Sequence, residues 1–403
     1  MKKITTVLTI SIIMSIFLIV VSSCYASVEP RNMTVVNSTI FDFDGQYYHI
    51  MAEIINPTKT SEGNTDSSTS SDRIGLVLKG KGKTMSQAIV DIEKKVEKKV
   101  LGTHNRVRFI TERMASNLFV MNEFIDFFIR NDDYDERPWL IVIKDEYKDL
   151  LYSANIGLAT LMGEYIHGLA ESQPVDTGEG VFSETLKFIT DSLTKGIEPV
   201  CGRVVLEEMK EEHQNDLKKS NNKKYVLIVD GLAVFKGITF MGFLDSDGAV
   251  VYNILTGAIK TTRMSVKDQG FHVGVKINNF TSKITPKTVD GKVNIDIKVS
   301  GALRLEEINA KVNTSEEMLL LIEKIKNATE IKIQKQLLNT IGVMQHTYGI
   351  DIFGIGIKLH IKDPKAWKGI SENWNEVFSK ANVNVSVVLK TVQVGEFSLP
   401  YYI

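Results

Sequence analysis

Residues 39–43 and 47–56 carry the apolar pattern of two strands, and Asp44-Gly45 between them is a hairpin signal. Residues 57–72 are rich in Ser, Thr, Asp and Gly without apolar period, which predicts a mobile loop. A strand over 73–79 leads into an amphipathic helix over 84–100, with Met85, Ala88, Ile89, Ile92, Val96 and Val100 on one face. Its other face carries Glu93, Lys94, Lys95, Glu97, Lys98 and Lys99, the pattern of a solvated surface. Strands at 107–110 and 139–143 alternate with apolar helical segments at 118–129, 146–170 and 182–193, and a strand is expected at 200–207. This alternation predicts a layered unit of mixed α/β type. The polar stretch 209–224 then stands out as a domain boundary.

After it the pattern changes. Segments 225–234, 239–243, 257–261, 271–280, 293–301 and 383–394 are strand-like. A long helix is predicted from Ser315 to about Gly342, with Thr314 and Glu317 at capping-box spacing. Near Asp363 another helix begins, with Trp367, Ile370, Trp374 and Phe378 on one face. Strands segregated from helices predict an α+β fold, in which an antiparallel-rich C-terminal sheet packs with the long helix.

The first residues set the address. Met1-Lys2-Lys3 is a positive start, residues 4–21 are uncharged and mostly apolar, and Val21-Ser22-Ser23-Cys24 closes the run. That order is a secretory signal. Its end resembles a bacterial lipobox, which makes Cys24 the expected lipid attachment site and residues 1–23 the removed peptide. The run is also near the roughly 20 residues that span a bilayer as a helix. An uncleaved anchor is therefore the other reading, and both place the body outside the cytoplasmic membrane.

Composition adds limits more than leads. At 403 residues, two or three domains are expected on a prior of about 150 residues each. Cleavage before Cys24 removes Lys2 and Lys3 and no acid, taking the formal net charge from −1 to −3, so nucleic acid is not an expected partner. The two cysteines, Cys24 and Cys201, could form a disulfide, but lipidation of Cys24 would leave Cys201 a lone buried thiol.

Catalytic and metal signals are weak. Gly80-Lys81-Gly82-Lys83-Thr84 lies where a phosphate loop would, yet Val77 occupies the position of the required first glycine. None of the seven histidines stands four residues from another, so no zinc spacing is present. Asp245-Ser246-Asp247-Gly248 starts like a calcium loop, but Val250 and Thr256 replace its glycine and glutamate, leaving a β-turn as the expectation. No cofactor, metal or enzymatic activity is expected.

Two stretches carry a family likeness. One is Asp230-Gly231-Leu232-Ala233-Val234-Phe235-Lys236-Gly237, followed by Met241-Gly242-Phe243-Leu244. The other is Asp351-Ile352-Phe353-Gly354, then Pro364 to Trp367, then Trp374 to Phe378. In this order they resemble the Ger(x)C spore germination lipoproteins, the C subunits of nutrient germinant receptors. Cys24-Tyr25-Ala26-Ser27 departs from the Cys-Trp-acidic start common in that family.

The resemblance implies a non-catalytic, multi-lobed subunit. It would be lipid-anchored to the outer face of the inner spore membrane and act with two integral membrane subunits. The rival is a solute-binding lipoprotein that captures a nutrient itself. The domains expected are 24–207, divided near 145, a charged linker over 208–224, and 225–403. Asp230, Gly231, Phe235, Gly237, Asp351, Phe353, Gly354, Trp367, Trp374 and Phe378 are the motif residues, expected to be structural or to contact a partner. Phe353, Trp367, Trp374 and Phe378 read as core anchors, and Asp351 as a cap or brace.

Overall fold

In the computed structural model, the described residues are 33–55, 75–131, 134–135, 137–209, 225–268, 271–308 and 314–393, with Met14. Val21, Ser22, Ser23, Cys24, the loop predicted at 57–72 and nearly all of the stretch 209–224 lie outside them. No helix among the described residues is long and apolar enough to cross a membrane.

The first unit is built on one ten-stranded sheet. Its strands are β1 (Met33–Phe43), β2 (Tyr48–Ile55), β3 (Gly75–Gly82), β4 (Lys99–Leu101), β5 (Val107–Thr111), β6 (Trp139–Ile143), β7 (Ser183–Glu184), β8 (Val200–Glu208), β9 (Tyr225–Lys236) and β10 (Thr239–Leu244). The path runs β10-β9-β8-β6-β5-β1-β2-β3, with β4 beside β1 and β7 beside β6. The centre, β1, β5, β6 and β8, is parallel, and antiparallel strands flank it. Parallel strands are covered on both faces and therefore read as unbroken apolar runs; every residue of β5 is buried.

Helices α1 (Met85–Glu93), α2 (Glu112–Ala115), α3 (Leu118–Arg130) and α5 (Thr185–Leu193) cover one face, around Phe41, Phe124, Phe128, Phe188 and Phe235. Cys201 is a buried free thiol in this layer. Helix α4 (Met162–Asp176) and two short 3-10 turns cover the other face, around Ile40, Phe109, Ile141, Ile143 and Ile166.

Several boundaries differ from the pattern-based expectation. The chain on both sides of residue 145 shares one sheet, because β5, β6 and β8 are neighbours. The strands flanking the polar stretch lie side by side in the first sheet: β8 and β9 pair antiparallel from Val200↔Val234 to Glu208↔Tyr225. The second sheet draws only on residues after Leu244. The helix expected over 84–100 stops at Glu93, and Lys99–Leu101 pairs with the start of β1. The helix expected over 146–170 divides into 3-10 turns followed by α4. Asp245 does not make a plain turn; its carboxylate accepts from Gly248 N at 3.0 Å and caps α6 (Ser246–Thr256).

The second unit holds α6, a four-stranded sheet and α7 to α10. Its strands β11 (Thr261–Asp268), β12 (Phe271–Val289), β13 (Lys292–Ile308) and β14 (Asn382–Gln393) are ordered β11-β12-β13-β14. Asp290-Gly291, both at positive φ, make the tight turn between β12 and β13. Helix α7 (Ser315–Val343) starts with Thr314 Oγ1 accepting from Glu317 N at 3.1 Å. Helix α7 reaches both edge strands of the sheet. Lys332 Nζ donates to Ser265 O on β11 at 2.9 Å. On β14, Gln334 Nε2 donates to Val385 O and Leu389 N donates to Glu330 Oε1, both at 2.7 Å. Helices α8 (Ile355–Lys362), α9 (Pro364–Ile370) and α10 (Trp374–Ser379) complete the crossover to β14, which runs parallel to β13. The fold is α+β, with a mixed first sheet and a second sheet antiparallel except at its last pair.

Candidate functional site

The two motif stretches lie more than a hundred residues apart and meet where the units join. The second stretch starts as the chain leaves α7. Gly349, at φ +64, ends a π-helical turn over Met344–Tyr348, and Gly354, at φ +66, turns the chain into α8. Asp351 lies between them, with no exposed surface. Its carboxylate accepts from Phe353 N at 2.9 Å, Gly356 N at 2.9 Å and the indole Nε1 of Trp374 at 3.0 Å. Asp351 thus braces the turn and fixes the Trp374 helix onto it. Asp363 caps α9 by accepting from Ala366 N at 3.0 Å, with Pro364 at its first position. Trp367 and Trp374 meet edge to face at 5.3 Å, and Phe378 and Phe353 are buried with them.

Burial pushes the Asp351 carboxyl from its ordinary 3.8 up to about 6, against the opposing pull of its N–H donors. A carboxyl raised in the folded state favours folding most when protonated in both states. Its contribution is therefore full below the unfolded value and is lost as pH rises through about 6. The stability advantage of wild type over Asp351→Asn should shrink by about 2 kcal/mol between pH 4 and 7. Urea denaturation of both proteins across that range checks this; a difference that stays constant would count against it.

The first stretch supplies the facing surface. Gly231, at φ +81, passes so close to the β10–α6 connection that a Cβ would lie 2.2 Å from Leu244 O. Phe235 is buried between Phe188 and Phe240, with ring centroids 4.8 and 5.7 Å away. Gly237, at φ +57, forms the β9–β10 turn. Asp230 is half-buried; burial raises its pKa, Arg203 opposes this and Asp245 adds to it. At Gly242 the same hairpin touches the second unit, where Tyr348 Oη donates to Phe243 O at 3.3 Å.

Glu198, which pattern reading passed over, joins the two stretches. It lies in the loop between α5 and β8. Its N–H donates to Asp351 O at 2.7 Å. Its Oε2 accepts from Gly237 N at 2.5 Å, and its Oε1 accepts from Asn375 Nδ2 at 2.6 Å. One half-buried glutamate therefore holds the β9–β10 turn, the Asp351 turn and α10 together. Nothing in a single sequence separates it from other surface glutamates; its only signal is its place between Gly196 and Pro199. Beside it the backbones nearly touch, since a Cβ on Gly356 would lie 2.6 Å from Gly196 Cα. Lys195 and Glu372 add an exposed ion pair across the same junction. Chemically the arrangement is a clamp, in which oxygens of one segment accept from N–H groups of the next.

Two family models match the chain in tandem. One, described as the spore germination protein N-terminal domain, matches residues 26–206, and the other, described as spore germination B3/GerAC like, C-terminal, matches residues 230–395. The chain belongs to this family of spore germination proteins. Among its relatives is spore germination protein B3 of Bacillus subtilis (strain 168), 22% identical over 78% of this chain and 79% of that protein. Spore germination protein KC of the same organism is 21% identical over 92% of this chain and 91% of its own length. The crystal structure of the GerBC protein shares the fold, with a TM-score of 0.54 and 17% identity, covering 88% of this chain and 97% of that one. In this germination-family chain the first match ends within β8 and the second begins within β9, and the Glu198 clamp joins residues from both. Among the described residues no group of three or more His, Cys, Asp or Glu is placed to hold a metal ion.

Proposed function

We propose that this chain is the lipid-anchored subunit of a spore nutrient germinant receptor. It would act with two integral membrane subunits at the outer face of the inner spore membrane and trigger germination without catalysis of its own. The tandem match to two germination-protein models carries the reading, and the Val21-Ser22-Ser23-Cys24 ending of the apolar run supports the anchor. Tethering raises the effective concentration of the body near its partners, so modest contacts suffice.

Deleting the gene should slow or abolish germination triggered by the receptor's nutrient and leave receptor-independent germination normal. The Cys24→Ala protein should take up no fatty-acid label, remain uncut and complement the deletion poorly. Deleted spores that respond to every nutrient at the wild-type rate, in a strain without a second receptor of this type, would refute the proposal.

A further inference from the structure

The tether and the charge pattern together orient the body. Eight residues, Tyr25 to Asn32, separate Cys24 from Met33, where β1 begins. At about 3.3–3.6 Å per residue a fully extended link of this length spans roughly 30 Å. Any anchor at Cys24 therefore keeps the start of β1 near the bilayer.

That start extends past the end of β5. Strand β5 joins β1 only at Ser38, whereas Met33–Val35 pair with β4 instead, Met33 opposite Lys99. The turn leading into β4 thus sits beside the point where the tether enters. From Glu93 to Lys99 this turn carries four lysines against two glutamates. Lys94 and Lys99 are exposed and Lys98 half-buried, while Lys95 pairs with Asp91. Exposed Arg106 lies at the same end, its N–H donating to Asn37 O on β1.

We infer that this end of the first sheet, with Lys94, Lys98, Lys99 and Arg106, is the membrane-facing surface and engages anionic lipid headgroups. The inference rests on the tethering proposed above. Basic side chains beside an anionic bilayer each strengthen binding on the order of fivefold, and the effect fades beyond the Debye length. The short tether holds them within reach, and the opposite end of the sheet faces away, toward the aqueous side.

The test uses the full-length lipidated protein in vesicles of phosphatidylcholine with about a third phosphatidylglycerol. Lysine acylation rates are read by mass spectrometry. Lys94, Lys98 and Lys99 should label about fivefold more slowly than in detergent, whereas Lys83 and Lys144, at the other end of the sheet, should not change. The protection should vanish in pure phosphatidylcholine or high salt. In a K94E/K98E/K99E variant with an unchanged circular dichroism spectrum, Lys95 should label equally fast in both lipids.

The same change in rate, relative to detergent, at the two ends would overturn the inference. So would protection that persists in neutral lipid at high salt, which would indicate a protein or apolar contact. Intact mass reports acylation of Cys24 separately. An acylated chain without protection sinks this surface alone, and an unacylated chain removes the tether and this inference with it.

Discussion

Trp374→Ala should lower the unfolding free energy of the second unit by about 3–5 kcal/mol, the usual cost of truncating a buried large aromatic. Trp374 is 4% exposed and packs on Trp367 and Phe378. Its indole also donates to the Asp351 carboxylate, so truncation leaves a buried acceptor short of a partner. Trp374→Phe separates the two effects. It keeps most of the packing and removes the N–H, for a loss of about 1–3 kcal/mol. Urea denaturation followed by far-UV circular dichroism measures both variants. An unchanged midpoint for the alanine variant would mark Trp374 as a dispensable surface residue.

Gly356→Ala should loosen the junction itself. The added methyl would lie 2.6 Å from Gly196 Cα and 2.7 Å from Trp374 Nε1. The first is backbone and the second is held by Asp351, so neither yields easily. Helix α8 must then draw away from the α5–β8 loop and stretch the bond from Glu198 N to Asp351 O. Overpacking of this kind costs about 1–3 kcal/mol. Amide hydrogen exchange at Glu198 should accelerate about tenfold or more, since roughly 1.4 kcal/mol of local opening corresponds to a factor of ten. Gly342→Ala is the control: nothing lies within 4 Å of a Cβ there. In the α7 interior alanine should be neutral or stabilise by up to about 1 kcal/mol. Equal exchange at Glu198 in wild type and Gly356→Ala would argue against the clamp.

Much of this architecture was legible where one physical signal dominated. The apolar runs at 107–110 and 139–143 are central strands because parallel strands bury both faces. The spacing of Trp367, Ile370, Trp374 and Phe378 located the aromatic cluster, although the chain breaks into α9 and α10 with a 3-10 turn between them. Helix α6 was missed because Asp245-Ser246-Asp247-Gly248 also serves as a turn, and because the helix is buried nearly all round and shows no polar stripe. Val96 and Val100 keep helical spacing beyond the true end of α1; Val96 lies in the turn after it, and the start of β1 takes Lys99–Leu101 as a strand. The polar composition of 209–224 gives no sign that the strands before and after it, β8 and β9, pair with each other. Glu198 acts through partners distant in sequence, which no local pattern encodes.

The grip of α7 on the rims of the second sheet bears on how this protein behaves in a crowd. Exposed strand rims are templates on which neighbouring molecules add strands and polymerise. On β11 and β14, Lys332, Gln334 and Glu330 already occupy main-chain groups that a visiting strand would need. Where two copies of this protein meet, those main-chain groups are already spoken for, and a neighbour's strand finds fewer places to pair.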